Sequence, residues 1–153
     1  LGLYLDFPVG THPDSYDVWK HRELFVEGFS LGAPPDALFS GGQDWGFPPP
    51  HPHAQRREGY RYLAECLEQH LKHAGVLRLD HVMAFHRLYW VPHGGSAKEG
   101  LYVNYPAEEV YAILCLESHR SRTLLLGEDL GLRDRDGQDV GGKAHGEIVD
   151  PEL

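Results

Sequence analysis

The chain has no run of 18 apolar residues, so nothing in it reads as a membrane-spanning helix. It has no stretch rich in Lys and Arg. With a formal charge of −9, it lacks the cations that a general nucleic-acid binder needs. Only two cysteines occur, Cys66 and Cys115, in no CxxC-like spacing. That excludes a disulfide scaffold or a cysteine-ligated metal ribbon and points to reduced thiols on helices. No internal repeat is found. The start shows none of the charged, apolar and small-residue zones of a signal peptide, and the protein is read as cytoplasmic. Leu1 opens inside a strand-like run, so the chain reads as cut from something longer. Its 153 residues suffice for one core, but a complete (β/α)8 barrel takes about 250.

What is present is an ordinary globular composition, 41% hydrophobic, with a clear alternation of element types. Leu1–Leu5 reads as a buried strand ending at Asp6. A loop rich in Pro, Gly, His and Asp follows. The stretch 32–52, with six prolines, reads as a long functional loop. From Pro52 to Ala74 the residues Tyr60, Leu63, Ala64, Leu67, Leu71 and Ala74 repeat at helical period, which predicts one helix with Gly75 as its C-cap. Val76–Asp80 reads as a strand, 81–105 as a loop, and Pro106 opens a second helix with Glu108 and Glu109 in its first turn. Thr123–Leu126 is the third strand and runs into Gly127–Glu128–Asp129. The tail from Arg133 reads as loop or frayed edge.

Strand, helix, strand, helix, strand predicts an α/β fold with a parallel sheet. Each strand ends in an acid: Asp6, Asp80 and Glu128. Active sites of such folds lie at the carboxyl ends of the strands. Two carboxyl groups there are what retaining glycoside chemistry needs, at about 5–5.5 Å. Arg78 shares a strand face with Asp80 and is expected to depress its pKa. Taken singly, an Asp after a strand is as commonly a helix N-cap. Eleven histidines suggest a metal, but only His51 and His53 are close, and the ligand set is incomplete. Asp134, Asp136 and Asp139 do not fit the EF-hand spacing. No metal and no cofactor is therefore expected.

The motifs around the acids carry more. Leu77–Arg78–Leu79–Asp80–His81 resembles the Arg–(Ile/Leu)–Asp–His motif of the α-amylase clan, in the version of the 4-alpha-glucanotransferase (amylomaltase) family. Gly127–Glu128–Asp129–Leu130–Gly131 is similar to that family's Gly-Glu-Asp-Leu-Gly. Asp6–Phe7–Pro8–Val9, with Asp14–Ser15 and Asp17–Val18–Trp19, resembles a third segment. Gly32–Ala33–Pro34–Pro35–Asp36, with Gly42–Gln43–Asp44–Trp45–Gly46 and Pro48, resembles a fourth. They arrive in family order over residues 1–131.

The resemblance implies part of a (β/α)8 TIM barrel over 1–131, with a variable tail over 132–153, acting on maltodextrins and other α-1,4-glucans. It makes Asp80 the nucleophile and Glu128 the acid/base. It assigns substrate contacts to Arg78, His81, Asp6, Gln43, Asp44, Trp45 and Asp129. Trp45 either stacks on a sugar or anchors its loop. The family's third acid, in a His-Asp motif, has no counterpart after Glu128. It is expected beyond Leu153, so that the chain by itself would be inactive. A hydrolase of the same clan, a metal-dependent barrel enzyme using Asp6, Asp80, His81 and Glu128, and a non-catalytic sugar-binding fragment are the alternatives.

Overall fold

The structure, a computed structural model, describes residues 2–128 and 148–149. The chain divides into two compact units, one drawn from residues 1–9, 63–83 and 111–153, the other from 10–62 and 84–110.

The first unit is built on a four-stranded sheet. Its strands are β1 (Leu3–Phe7), β4 (Ala74–Leu79), β7 (Leu124–Gly127) and β8 (Ile148–Val149), in that order. β1, β4 and β7 run parallel, and β8 joins β7 antiparallel. The parallel α/β arrangement is the one the element order predicts. The two-residue period of β4 explains its position. Leu77 and Leu79 are buried on one face, while Arg78 points to the other. Leu125 of β7 is buried in register with Leu77, and Leu67, Leu71 and Leu114 complete this core. Leu67 and Leu71 come from α3 (Arg61–Leu71), Leu114 from α4 (Ala107–Ser121). α4 begins one residue after Pro106, as expected for a proline-led helix. Cys66 and Cys115 are free thiols on these two helices. The hydroxyl of Thr123 donates to the Ala74 carbonyl at 3.1 Å, and that of Ser118 donates to the Thr123 carbonyl at 2.7 Å. These bonds tie the entry of β7 to α4 and to β4.

Three sequence expectations need correction in this unit. Within these residues β1 is not buried: Leu3 and Tyr4 are each 59% exposed, β1 being the outermost strand of the sheet among the described residues. Gly75 does not cap a helix. It lies inside β4, where a Cβ on Gly2 would come within 2.5 Å of its Cα; two bare backbones meet there. Third, the tail is not all loop, since Ile148–Val149 pairs with β7.

The second unit holds an antiparallel sheet in the order β3 (Gln43–Asp44), β2 (Phe29–Ala33), β5 (Arg87–Pro92), β6 (Leu101–Asn104). This overturns the reading of 81–105 as a loop, for β5 and β6 form a hairpin. Leu88, Tyr89 and Val91 are buried in β5 and Leu31 in β2. A short helix α1 (Tyr16–Lys20) is capped by the Ser15 hydroxyl, which accepts from the Val18 N–H at 3.3 Å. The predicted single helix from Pro52 is two. α2 (Pro52–Arg57) stops because Gly59 and Tyr60 both adopt positive φ, 71° and 54°, which no right-handed helix passes through. Tyr60 is buried at the break and its hydroxyl donates to Glu109 at 2.6 Å. Among the described residues no helix is long and apolar enough to cross a membrane.

Candidate active site

Parallel register puts the acids side by side. Asp6 of β1 faces Arg78 of β4, which faces Leu126 of β7. One period on, the next residues on the same face are Asp80 and Glu128. The ladder continues past the named strands: the Asp80 N–H donates to the Phe7 carbonyl at 3.0 Å and the Glu128 N–H to the Leu79 carbonyl at 2.9 Å. Strand pairing thus fixes both carboxyl-bearing residues at the carboxyl ends of β4 and β7.

Arg78 organises the group. Its Nη1 donates to Asp6 Oδ1 at 2.6 Å. Its Nη2 reaches Asp80 Oδ1 at 2.9 Å and Glu128 Oε1 at 2.6 Å. Two oxygens on one nitrogen lie within about 5.5 Å of each other, the sum of those contacts. The His81 N–H donates to Glu128 Oε2 at 3.3 Å. The Asp80, Glu128 and Arg78 side chains are partly open to solvent, at 37%, 27% and 25% exposure, so a ligand can reach them. Among the described residues no group of three His, Cys, Asp or Glu side chains is set to hold a metal. A guanidinium occupies the space between Asp6, Asp80 and Glu128.

The electrostatics correct one expectation. Arg78 does draw the Asp80 pKa down. Burial, together with the hydrogen bond to Glu128 and its charge, outweighs it, and the Asp80 carboxyl sits above its ordinary value. Burial also works to raise Glu128. There the hydrogen bonds from Arg78, Asp80 and the His81 main chain prevail, and Glu128 sits below its ordinary value. Of the two carboxyl groups, Asp80 is thus the one held toward its protonated form and Glu128 the one held toward its ionised form. Asp6 and Glu128 in turn raise the Arg78 pKa and keep it charged.

Asp6, Arg78, Asp80, His81 and Glu128 are thus brought together. Gln43, Asp44 and Trp45 form a group of their own in the second unit. The Trp45 indole N–H donates to Gln43 Oε1 at 3.1 Å, and its main-chain N–H to the Leu31 carbonyl at 2.8 Å. Asp44 accepts from the Ser30 hydroxyl and from the Gly46 N–H through the same oxygen. That oxygen is committed to holding the loop. Gly32 makes room for it, as a Cβ there would lie 2.1 Å from the Gln43 carbonyl oxygen. Asp129 lies outside the described residues, as do Asp134, Asp136 and Asp139. His51 and His53 have ring centroids 6.1 Å apart.

Sequence reasoning missed two contributors. One is the main chain of His81. The other is Gly127, whose missing side chain admits Val82: a Cβ would meet Val82 Cγ2 at 2.9 Å. The glycine directly before an acid at a strand end was the available signal.

Known 4-alpha-glucanotransferases and amylomaltases resemble this chain. The family model described as Glyco_hydro_77, 4-alpha-glucanotransferase, matches residues 1–141. A 4-alpha-glucanotransferase of Haemophilus influenzae is 44% identical over 131 residues, which is 86% of this chain and 19% of that protein. The crystal structure of amylomaltase from Corynebacterium glutamicum superposes with a TM-score of 0.82 at 35% identity, over 86% of this chain and 19% of that one. Amylomaltase from Streptococcus agalactiae in complex with acarbose shares the fold, with a TM-score of 0.78 at 22% identity, over 89% of this chain and 28% of that one. The chain spans about a fifth of the length of the Haemophilus and Corynebacterium relatives.

Proposed function

This chain belongs to the 4-alpha-glucanotransferase family, and from that premise we propose that it supplies two reacting carboxyl groups to an enzyme that moves α-1,4-glucan segments between maltodextrin chains by retaining double displacement. Asp80 attacks C1 of the donor sugar as the C1–O4 bond breaks, and the proton of Glu128 goes to the departing oxygen. The 4-hydroxyl of an acceptor glucan then attacks C1 of the glycosyl-enzyme. Its proton passes to Glu128, and the bond to Asp80 breaks. Each half-reaction leaves the pair with the protonation it needs for the other.

The observation that carries this reading is the single Arg78 nitrogen in contact with both carboxyl groups. It keeps them within the separation of a retaining pair. Attack needs Asp80 ionised and Glu128 protonated, against the directions in which burial moves Asp80 and hydrogen bonds move Glu128, so substrate binding must reverse that balance. Transfer prevails over hydrolysis where acceptor subsites hold the sugar hydroxyl in place of water. Gln43 and Trp45 are assigned to substrate contact on the same reading.

Three further parts belong to the proposal. β1, β4 and β7 are staves of a (β/α)8 barrel whose other strands come from outside these residues. The third acid comes from there as well. The enzyme works in the cytoplasm, which cell fractionation would test.

The decisive experiment uses the complete protein that carries this stretch, supplied with maltotriose. A ladder of longer and shorter maltodextrins is expected; glucose and maltose alone would make it a hydrolase. Glu128→Ala with an activated leaving group and azide should give the retained-configuration glycosyl azide, and Asp80→Ala should not. The reverse pattern would exchange the two roles.

A further inference from the structure

His81 holds a left-handed backbone conformation, with φ at 49°, which is uncommon outside glycine although histidine enters it more readily than most residues. Left-handed residues other than glycine persist where the surroundings over-determine them, and they concentrate at functional sites. Here the chain is pinned on both sides of the residue. The Asp80 N–H is bonded to the Phe7 carbonyl of β1, and the Val82 N–H to the main-chain carbonyl of Glu128, each at 3.0 Å. Val82 is buried and packs against the bare Cα of Gly127. The turn between these two pins is what directs the His81 N–H onto Glu128 Oε2.

We propose that His81 is a positioning residue that acts through its main chain: the left-handed turn aims its N–H at Glu128 and thereby fixes the orientation and charge of that carboxyl group. The proposal rests on the reading of Asp80 and Glu128 as the reacting pair. It has a geometric logic. Arg78 holds Oε1 and the His81 N–H holds Oε2, so the carboxyl group is gripped on both oxygens and cannot rotate freely. An N–H donor also favours the ionised form, which Glu128 must reach after each proton transfer to the leaving group. Among the described residues, the groups facing Glu128 are Arg78, Asp80 and this N–H, with Asp6 acting through Arg78.

The test is a series at position 81 in the complete protein, read as the acid limb of the kcat/KM pH profile. His81→Gly and His81→Asn accept the left-handed conformation readily and should leave the limb in place. His81→Val cannot adopt it without strain, and a Glu128 that loses its donor keeps its proton to higher pH. The limb should then move upward by roughly half a unit. Gly127→Ala pushes Val82 away and should move the limb in the same direction without altering His81. His81→Ala, a milder change, covers the case in which the Val variant does not fold, and its limb must move the same way. A limb displaced equally in the Gly and Asn variants would make the side chain the agent and overturn the proposal. So would a limb that stays fixed in the Val, Ala and Gly127→Ala variants. Failure of the underlying reading looks different: Asp80→Asn and Glu128→Gln would then turn over at near-normal rates.

Discussion

The two units use their polar side chains differently. In the first, three acids converge on one guanidinium, Arg78, at the carboxyl ends of parallel strands. In the second, the bonds run from hydroxyl and indole donors to single acceptors: Ser30 to Asp44, Trp45 to Gln43, Trp90 to Tyr105, and Tyr105 to the Pro50 carbonyl. Parallel register brings equivalent ends of several strands to one edge, so charge accumulates there. An antiparallel hairpin sends successive connections to opposite ends and holds each loop by itself. The first arrangement crowds like charges at a cost in folding energy and yields perturbed carboxyl groups. The second ties Gln43, Asp44 and Trp45 into a fixed loop, though the buried Arg87 Nε has no hydrogen-bond partner among the described residues.

This contrast predicts that substitutions in the first unit abolish activity with little change in stability, and that those in the second do the opposite. The largest effect should come from Asp80→Asn, with kcat in the complete protein lowered about 10³-fold or more and the unfolding midpoint little moved. A variant with near-normal turnover would break the comparison at its centre. Arg78→Lys comes next. A point charge cannot serve three acids as the planar fork does, so a loss of about 10²-fold is expected, measured as kcat/KM. The pH profile of kcat/KM should be a bell, because the singly protonated pair is the working form. Activity rises as the first proton leaves and falls when the second leaves. The Asp80 carboxyl, raised by burial and by Glu128, sets the alkaline limb, and a profile flat on its alkaline side would count against that.

The second unit should respond in stability. Gly32→Ala drives a Cβ against the Gln43 carbonyl and should cost about 1–3 kcal/mol by denaturant titration. Ser30→Ala removes one donor from Asp44 and should cost about 1 kcal/mol. If Ser30→Ala instead lowered kcat as much as Arg78→Lys, the separation between a reacting unit and a scaffolding unit would fail.

The parts of the fold legible in the sequence were those whose signal is local. β4 and β7 are short apolar runs closed by an acid, and α4 is announced by Pro106 and its two glutamates. What was not legible had competing explanations. Tyr60 fitted the apolar stripe of one long helix, yet it is the residue at which that helix breaks, because its hydroxyl pairs with Glu109, 49 residues on. β5 shows no alternation, since Leu88, Tyr89 and Val91 are all buried. With glycines beside it, the run read as loop, although its aromatic and branched residues were a usable strand signal. Gly75 follows a helix, as a cap would, and only its contact with Gly2 shows its use.

The sequence by itself singled out the residues expected at the site: the Arg78–Asp80 and Gly127–Glu128 motifs name two acids and a cation, and the two-residue strand period puts Arg78 and Asp80 on one face. The tertiary structure decided how those groups share charge. That depends on the register between β1, β4 and β7, and on a left-handed turn at His81. Together they bring a guanidinium, two carboxyl groups and one main-chain N–H within hydrogen-bonding reach of each other. Register and turn geometry are set by contacts between residues distant in the chain, such as Phe7 with Asp80 and Val82 with Gly127, which no local pattern encodes.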